Sequence, residues 1–309
     1  MSDPVLVIGA TLLDIKGKPT AGLEPGTSNL GLVRHARGGT ARNVAENLGR
    51  LGAEVVLLSA VGDDEIGRQL VQQTAAADVD VSRMLVAPHQ RTGSYMALLE
   101  PDGTLSVALN DTAVMDKITP GLLYQNRRLF KDASMIFFDG SLSEDCIEII
   151  VRLALQYGAP VCTDPSSTRR AYKVRPYLKH LLLAVPNEFE AAALCQADVV
   201  IEDPENSLHL ARQLHSLGVQ MAVITRRDFG FAYATKGENG YLPAHFSEMV
   251  DSTGTGDAIT SAIMFGLLND LPPVACMRLG AAAASITLQS AETVVPDLSL
   301  DMLYENLVV

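Results

Sequence analysis

An α/β fold with a central, mostly parallel sheet is what this sequence predicts, and three observations carry the prediction. Residues 55–60, 135–139, 161–164, 181–185 and 221–225 are short, nearly continuous apolar runs, the pattern of strands covered on both faces. Residues 64–77, 144–157, 188–197 and 204–217 lie between them, with apolar side chains at three- and four-residue spacing and charged residues in the gaps. Strand and helix patterns alternate, which calls for helical crossovers and parallel pairing.

The 309 residues are 48% hydrophobic and 19% charged, enough apolar material for a large core, and no repeat, low-complexity tract or linker divides them. We therefore expect a single domain over 1–309. The net charge of -12 excludes nucleic acid and anionic membranes as partners, because phosphate backbones are bound by clustered Lys and Arg. Any bound polyanion needs locally positive potential. Cys146, Cys162, Cys195 and Cys276 are too scattered for a metal or redox pair and read as buried thiols in a reducing compartment. The first strand, residues 5–9, begins without a basic segment and apolar leader, and the apolar stretches 258–268 and 274–288 are too short or interrupted by Arg278. The expectation is a soluble, cytoplasmic protein.

One region departs from the alternation. Residues 91–99 and 105–110 are strand-like runs joined across Glu100-Pro101-Asp102-Gly103-Thr104, which reads as a hairpin. Large apolar side chains stand at both odd and even positions of Ser94-Tyr-Met-Ala-Leu-Leu99, so both faces need cover. The hairpin is either buried within one monomer, or faces the main body or a ligand on one side and a second subunit on the other.

Four sequence features could carry chemistry. In Asp251-Ser-Thr-Gly-Thr-Gly-Asp257, two glycines open an apolar helix, and a helix start exposes backbone N–H groups that bind anions without a lysine. Asp257 would stand in the first turn, placed to take a proton from an attacking alcohol, or else be only a favoured N-terminal acid. Gly38-Gly39-Thr-Ala-Arg-Asn43 opens a second helix. Paired glycines admit close backbone approach and Asn43 can bind vicinal hydroxyls, although a plain turn would look the same. Asp14 is a further hydroxyl binder or a cap. Asn187-Glu-Phe-Glu190 fits a capping box, a magnesium site on a triphosphate, or both. Absent are a G-x-x-x-x-G-K-[ST] loop, a G-x-G-x-x-G turn after the first strand, G-x-S-x-G and a histidine cluster. P-loop ATPases, Rossmann dehydrogenases and α/β-hydrolases are thereby unsupported.

Taken together, Asp14, Gly38-Gly39-x-x-x-Asn43, the hairpin, Asn187-x-x-Glu190 and Asp251-Ser-Thr-Gly-Thr-Gly-Asp257 resemble, in order and spacing, the ribokinase-like (PfkB) carbohydrate and nucleoside kinases over roughly residues 4 to 300. That resemblance implies a three-layer α/β/α fold with a small inserted β lid built from segments around 14–36 and 91–111. It implies ATP and Mg2+, with K+ as a further cation, and a homodimer formed through the lid. Asp257 becomes the catalytic base, with the backbone of Gly254, Thr255 and Gly256 as anion site. Asp14, Asn29, Gly38, Gly39, Asn43 and Tyr95 become acceptor-binding, and Asn187, Thr225, Arg227 and Gly230, with Gly254 and Gly256, nucleotide-binding. Glu190 and Asn187 would hold magnesium through water, and Asp251 and Thr253 a monovalent cation. Asp14-Ile-Lys-Gly-Lys-Pro19, Gly39-Thr-Ala-Arg-Asn-Val-Ala-Glu-Asn47 and Gly93-Ser-Tyr-Met-Ala97 are most similar to the pseudouridine kinases of that family, which implies phosphoryl transfer to the 5′-hydroxyl of pseudouridine. The sequence departs from the family at Thr225-Arg226-Arg227, where an arginine replaces an expected glycine, and either a phosphate contact or a solvated pair follows. Thr255 also stands where alanine is usual.

Overall fold

In the computed structural model, residues 3–101, 105–198 and 203–307 are described. Among them, nine strands form the main sheet, in the spatial order Asn239–Leu242, Phe231–Ala234, Met221–Thr225, Leu183–Ala184, Val161–Asp164, Met135–Asp139, Val5–Ile8, Val55–Leu58 and Val79–Asp80. Pairing is parallel from Met221–Thr225 to Val79–Asp80 and antiparallel in the two strands beyond. Successive residues of each inner strand feed opposite cores, as a period of two demands. Val5 and Val7 pack with helices Thr40–Arg50, Thr255–Leu268 and Pro273–Leu288. Leu6 and Ile8 pack with Glu144–Tyr157, Glu188–Cys195 and Pro204–Ser216 on the other side. The result is the three-layer α/β/α arrangement.

Two apolar runs end differently from their sequence outline. The run 55–60 divides at Ser59, whose hydroxyl donates to Gly9 O at 2.6 Å and accepts from Thr11 Oγ1 at 2.8 Å, and Ala60–Gly62 then pairs with Leu85–Ala87 outside the main sheet. The run 181–185 is a regular strand only over Leu183–Ala184, although Leu182 N and Val185 N still bond to Val161 O and Thr163 O.

The functional crevice follows from topology. From Val5–Ile8 the chain steps outward to Val55–Leu58, and later steps the other way through Met135–Asp139, so the order reverses between Val5–Ile8 and Met135–Asp139. Parallel sheets bind ligands beyond the carboxyl ends of the strands at such a reversal.

A second sheet stands over that crevice, in the order Gly31–Gly38, Leu12–Pro19, Ser94–Leu99, Leu105–Asp111. The hairpin is its last pair, and residues 102–104 of the hairpin connection lie outside the described residues. Register sorts its side chains. Asp14, Ala36, Tyr95 and Asn110 are aligned across the four strands on one face, with Lys16 and Ala97 beside them; Val33, His35, Met96, Leu98, Val107 and Leu109 belong to the other. Asp14 is therefore a strand residue of this sheet and not a cap.

Candidate active site

Asp257 is the third residue of the helix Thr255–Leu268, and the chain enters that helix through Gly254 at φ 85°. No other residue suits this entry, since a Cβ at Gly254 would collide with Thr293 O. The N–H groups of Gly256 and Asp257 fall in the first turn, where a helix supplies no acceptor. Thr255 N instead turns back to Ser252 O at 3.4 Å, as does its hydroxyl at 2.8 Å, so the amides left open to an anion are those that follow.

The helix Thr40–Arg50 begins at the same crevice. Asp139 ends its strand with Oδ2 accepting from Ala10 N at 2.8 Å and Ala41 N at 3.1 Å, which ties the first strand's exit to the helix start. Gly39 turns the chain at φ 94°, and a side chain at Gly38 would displace the Asp14 carboxylate. Arg42 is fully buried. Its Nε donates to Gly38 O at 2.9 Å, Nη2 donates to Arg37 O at 3.0 Å and to Asn43 Oδ1, and Nη1 pairs with Glu46. With Oδ1 taken, the Asn43 amide is oriented so that Nδ2 donates to Asp257 Oδ2 at 2.5 Å.

Electrostatics mark the same place. Burial, above all, pushes Asp257 up to about 7; Asp14 and Asp139 add to the rise, while the Asn43 bond and Arg42 oppose it. Asp14 is raised to about 6, again chiefly by burial, against the opposing charges of Arg42 and Lys16. Proton affinities near neutrality in a cleft are what a base needs to work at physiological pH.

At the other end of the crevice the capping box is real: Asn187 Oδ1 accepts from Glu190 N at 3.0 Å and Glu190 Oε2 accepts from Asn187 N at 2.9 Å. Burial lifts Glu190 to about 7, and burial with the charges of Glu190 and Asp257 lifts Asp164 well above the carboxylate range. Asp164 aligns with Asp139 at the carboxyl ends of neighbouring strands. Two buried carboxyl groups that oppose each other's ionisation suit a divalent cation, so these residues fit magnesium. Asp164 escaped sequence reasoning, yet a signal existed, because both Met-Ile-Phe-Phe-Asp139 and Val-Cys-Thr-Asp164 end a buried strand with an acid.

The remaining expected residues divide. Thr225 bridges to Asn187, and the exposed Arg227 lies 5.6 Å over the Phe189 ring, so three nucleotide-binding candidates adjoin. Gly230 lies in the turn that Arg226 N closes through Gly230 O at 3.0 Å, with Tyr241 packed against it. Arg226 is not part of a solvated pair. It is buried, with Nη1 donating to Ser207 Oγ at 2.6 Å and facing Glu188 at 3.3 Å, and Nη2 pairing with Asp228 at 3.0 Å. Glu188 is itself buried and claims that charge, while Arg227 stays exposed. Asn29 is exposed and engaged by its own loop, accepting from Glu24 N at 2.8 Å and donating to Glu24 O at 3.0 Å. Asp251 and Thr253, expected to face a monovalent cation, instead hold the ammonium of Lys16.

Comparison with known proteins identifies the family. The family model described as pfkB family carbohydrate kinase matches residues 2–299. The pseudouridine kinase of Escherichia coli K12 is 31% identical over 96% of this chain and 94% of its own length. A guanosine-inosine kinase of Exiguobacterium acetylicum is 27% identical over 95% and 97%. The structure of Arabidopsis thaliana ribokinase complexed with ribose and ATP superposes with a TM-score of 0.82 at 19% identity, covering 100% of both chains. The chain belongs to the pfkB family of carbohydrate kinases, and it is a phosphotransferase acting on a hydroxyl group.

Proposed function

We propose that the protein transfers the γ-phosphoryl group of ATP to the 5′-hydroxyl of pseudouridine. The observation that carries the reading is the Asn43 to Asp257 hydrogen bond, which links a hydroxyl-binding amide directly to the base. Asp14 and Tyr95 face the same space from the second sheet, in register with one another. A ribose held by Asp14, Asn43 and the Gly38-Gly39 backbone presents its primary hydroxyl to Asp257. That carboxylate takes the hydroxyl proton as the new O–P bond forms and the bond from the γ-phosphorus to the β–γ bridging oxygen breaks, with ADP leaving, while the amides of Gly256 and Asp257 stabilise the charge on the phosphoryl oxygens. Asp164, with Glu190 and Asn187, would hold magnesium, which when bound neutralises phosphate charge. Arg227 borders the ATP phosphates.

The second sheet acts as a lid that excludes water from the transfer. Its outer face binds the same face of a second copy. The four buried, unpaired thiols suit the reducing cytoplasm.

Pseudouridine is favoured by the 31% identity to a pseudouridine kinase across nearly the whole chain. A purine nucleoside or ribose is the second reading, supported by the 27% identity to a guanosine-inosine kinase. Measuring ADP release with pseudouridine, uridine, guanosine, inosine, adenosine and ribose decides between them. We expect the highest kcat/KM for pseudouridine; a higher value for ribose or a purine nucleoside transfers the assignment to that acceptor.

A further inference from the structure

Lys16 leaves the second sheet and ends on the glycine loop. Its Nζ donates to Asp251 Oδ1 at 2.8 Å, to Asp251 Oδ2 at 2.6 Å and to Thr253 Oγ1. Thr253 N donates to Asp251 Oδ1 at 2.9 Å, so ammonium, carboxylate, hydroxyl and amide form one closed cluster at the entry to the anion site. The Lys16 side chain is 15% exposed and that of Asp251 23%, so the pair is shielded well beyond an ordinary surface ion pair. Burial works against ionisation of Asp251, but the Lys16 and Thr253 hydrogen bonds outweigh it and hold the carboxyl below its usual range.

An ammonium is a compact single positive charge that needs several oxygen acceptors, the same requirement that a potassium ion has. The two cannot share these oxygens. Lys16 also stands two residues after Asp14 on the same face of its strand, which ties this charge to the strand that carries the acceptor site. We propose that Lys16 is a tethered cation: it occupies the position of a soluble monovalent ion, holds the Asp251–Thr253 segment so that the following amides face the phosphoryl group, and frees the enzyme from dependence on potassium there. Lys16 is thus a positioning residue acting through the loop, and the inference rests on the reading of that loop as the phosphoryl site.

The test compares wild type and Lys16→Met in KCl and in tetramethylammonium chloride at equal ionic strength, following Tm and, with whichever acceptor is turned over, kcat. Wild type should show the same Tm in both salts and kcat values within about twofold. In tetramethylammonium the variant should lose about tenfold or more in kcat, and KCl should restore most of it. Its Tm should rise by about 2 °C or more in KCl alone, as the ion enters the vacated site. Potassium-specific activation or stabilisation of wild type overturns the proposal, and this arm needs no variant. So does a variant with wild-type kcat, or one whose loss potassium does not relieve; Lys16→Gln replaces Lys16→Met if the latter fails to fold. The Tm arm needs no acceptor, so failure to phosphorylate pseudouridine counts against the substrate assignment alone.

Discussion

The side-chain amide of Asn43 donates to Oδ2 of Asp257 at 2.5 Å, joining residues 214 positions apart at the starts of two helices. The bond opposes the rise in the Asp257 pKa, and under the proposed function it adjoins the acceptor hydroxyl. Asn43→Ala therefore has two expected effects. Loss of a hydrogen bond to a neutral hydroxyl costs about 0.5–1.5 kcal/mol, so the KM for the acceptor should rise about 2- to 10-fold. Protonated Asp257 cannot accept a proton, so activity falls as pH drops through about 7, and without the amide this acidic limb should move to higher pH. A pH profile of kcat/KM reads both; an unshifted limb with unchanged KM would separate Asn43 from the base.

Asp257→Asn removes the proposed base and should lower kcat by about 10² to 10⁴ or more while ATP binding persists. The same variant reports on stability. Burial raises the folded pKa to about 7, so the folded state binds this proton more tightly than the unfolded chain does. The resulting stabilisation is complete below the unfolded pKa of about 4 and is lost as pH rises through 7. Relative to wild type, Asp257→Asn should gain Tm between pH 5 and about pH 7 and level off above it, which thermal melts at matched salt measure. A constant difference across that range would refute the desolvated carboxyl.

Glu190→Gln separates the capping role from the proposed metal role. Glutamine serves equally at the third helical position of a capping box, so the bond from Asn187 N survives. Removing the charge also relieves Asp164, whose ionisation Glu190 opposes. Tm should hold or rise slightly, while the magnesium concentration for half-maximal activity should rise about tenfold or more. A magnesium titration beside thermal melts reads the two, and a lower Tm with unchanged magnesium response would leave Glu190 a cap only.

What could be read in advance, and what could not, follows from how far each interaction reaches along the chain. Met135–Asp139, Val161–Asp164 and Met221–Thr225 were legible to the residue, because strands buried on both faces are continuous apolar runs. Helix starts at Gly38-Gly39 and Gly254-Thr-Gly256 were legible from glycine spacing, and with them Asn43 and Asp257 as separate candidates. Their contact was not, since no local pattern specifies a partner so distant in sequence. Lys16 was invisible for the same reason: it lies in the polar run Asp14-Ile-Lys-Gly-Lys-Pro19, and only the second sheet's position sets it against Asp251. Arg226 left a phosphate contact and a solvated pair equally open, because its buried counterion Glu188 lies on the helix Glu188–Cys195, 38 residues away, and only packing brings the two together.

The outer face of the second sheet leads to a prediction about assembly. Leu109 is 70% exposed, Val33 67%, Val107 55% and Met96 48%, and register places all four on one face, opposite Asp14 and Tyr95. Scattered exposed apolar residues are ordinary, but a contiguous apolar sheet face is costly in water and marks an interface. A second copy applied to this face would bury both surfaces by a two-fold rotation. Light scattering after size exclusion should give a dimer for wild type, and Leu109→Glu should shift it toward monomer by placing a charge from each copy in the apolar interface. Because Tyr95 and Asp14 lie on the opposite side of the same thin sheet, loosening the dimer should raise acceptor KM more than ATP KM. A monomeric wild type at micromolar concentration, or an undisturbed dimer in the variant, would show that this face does not join two copies.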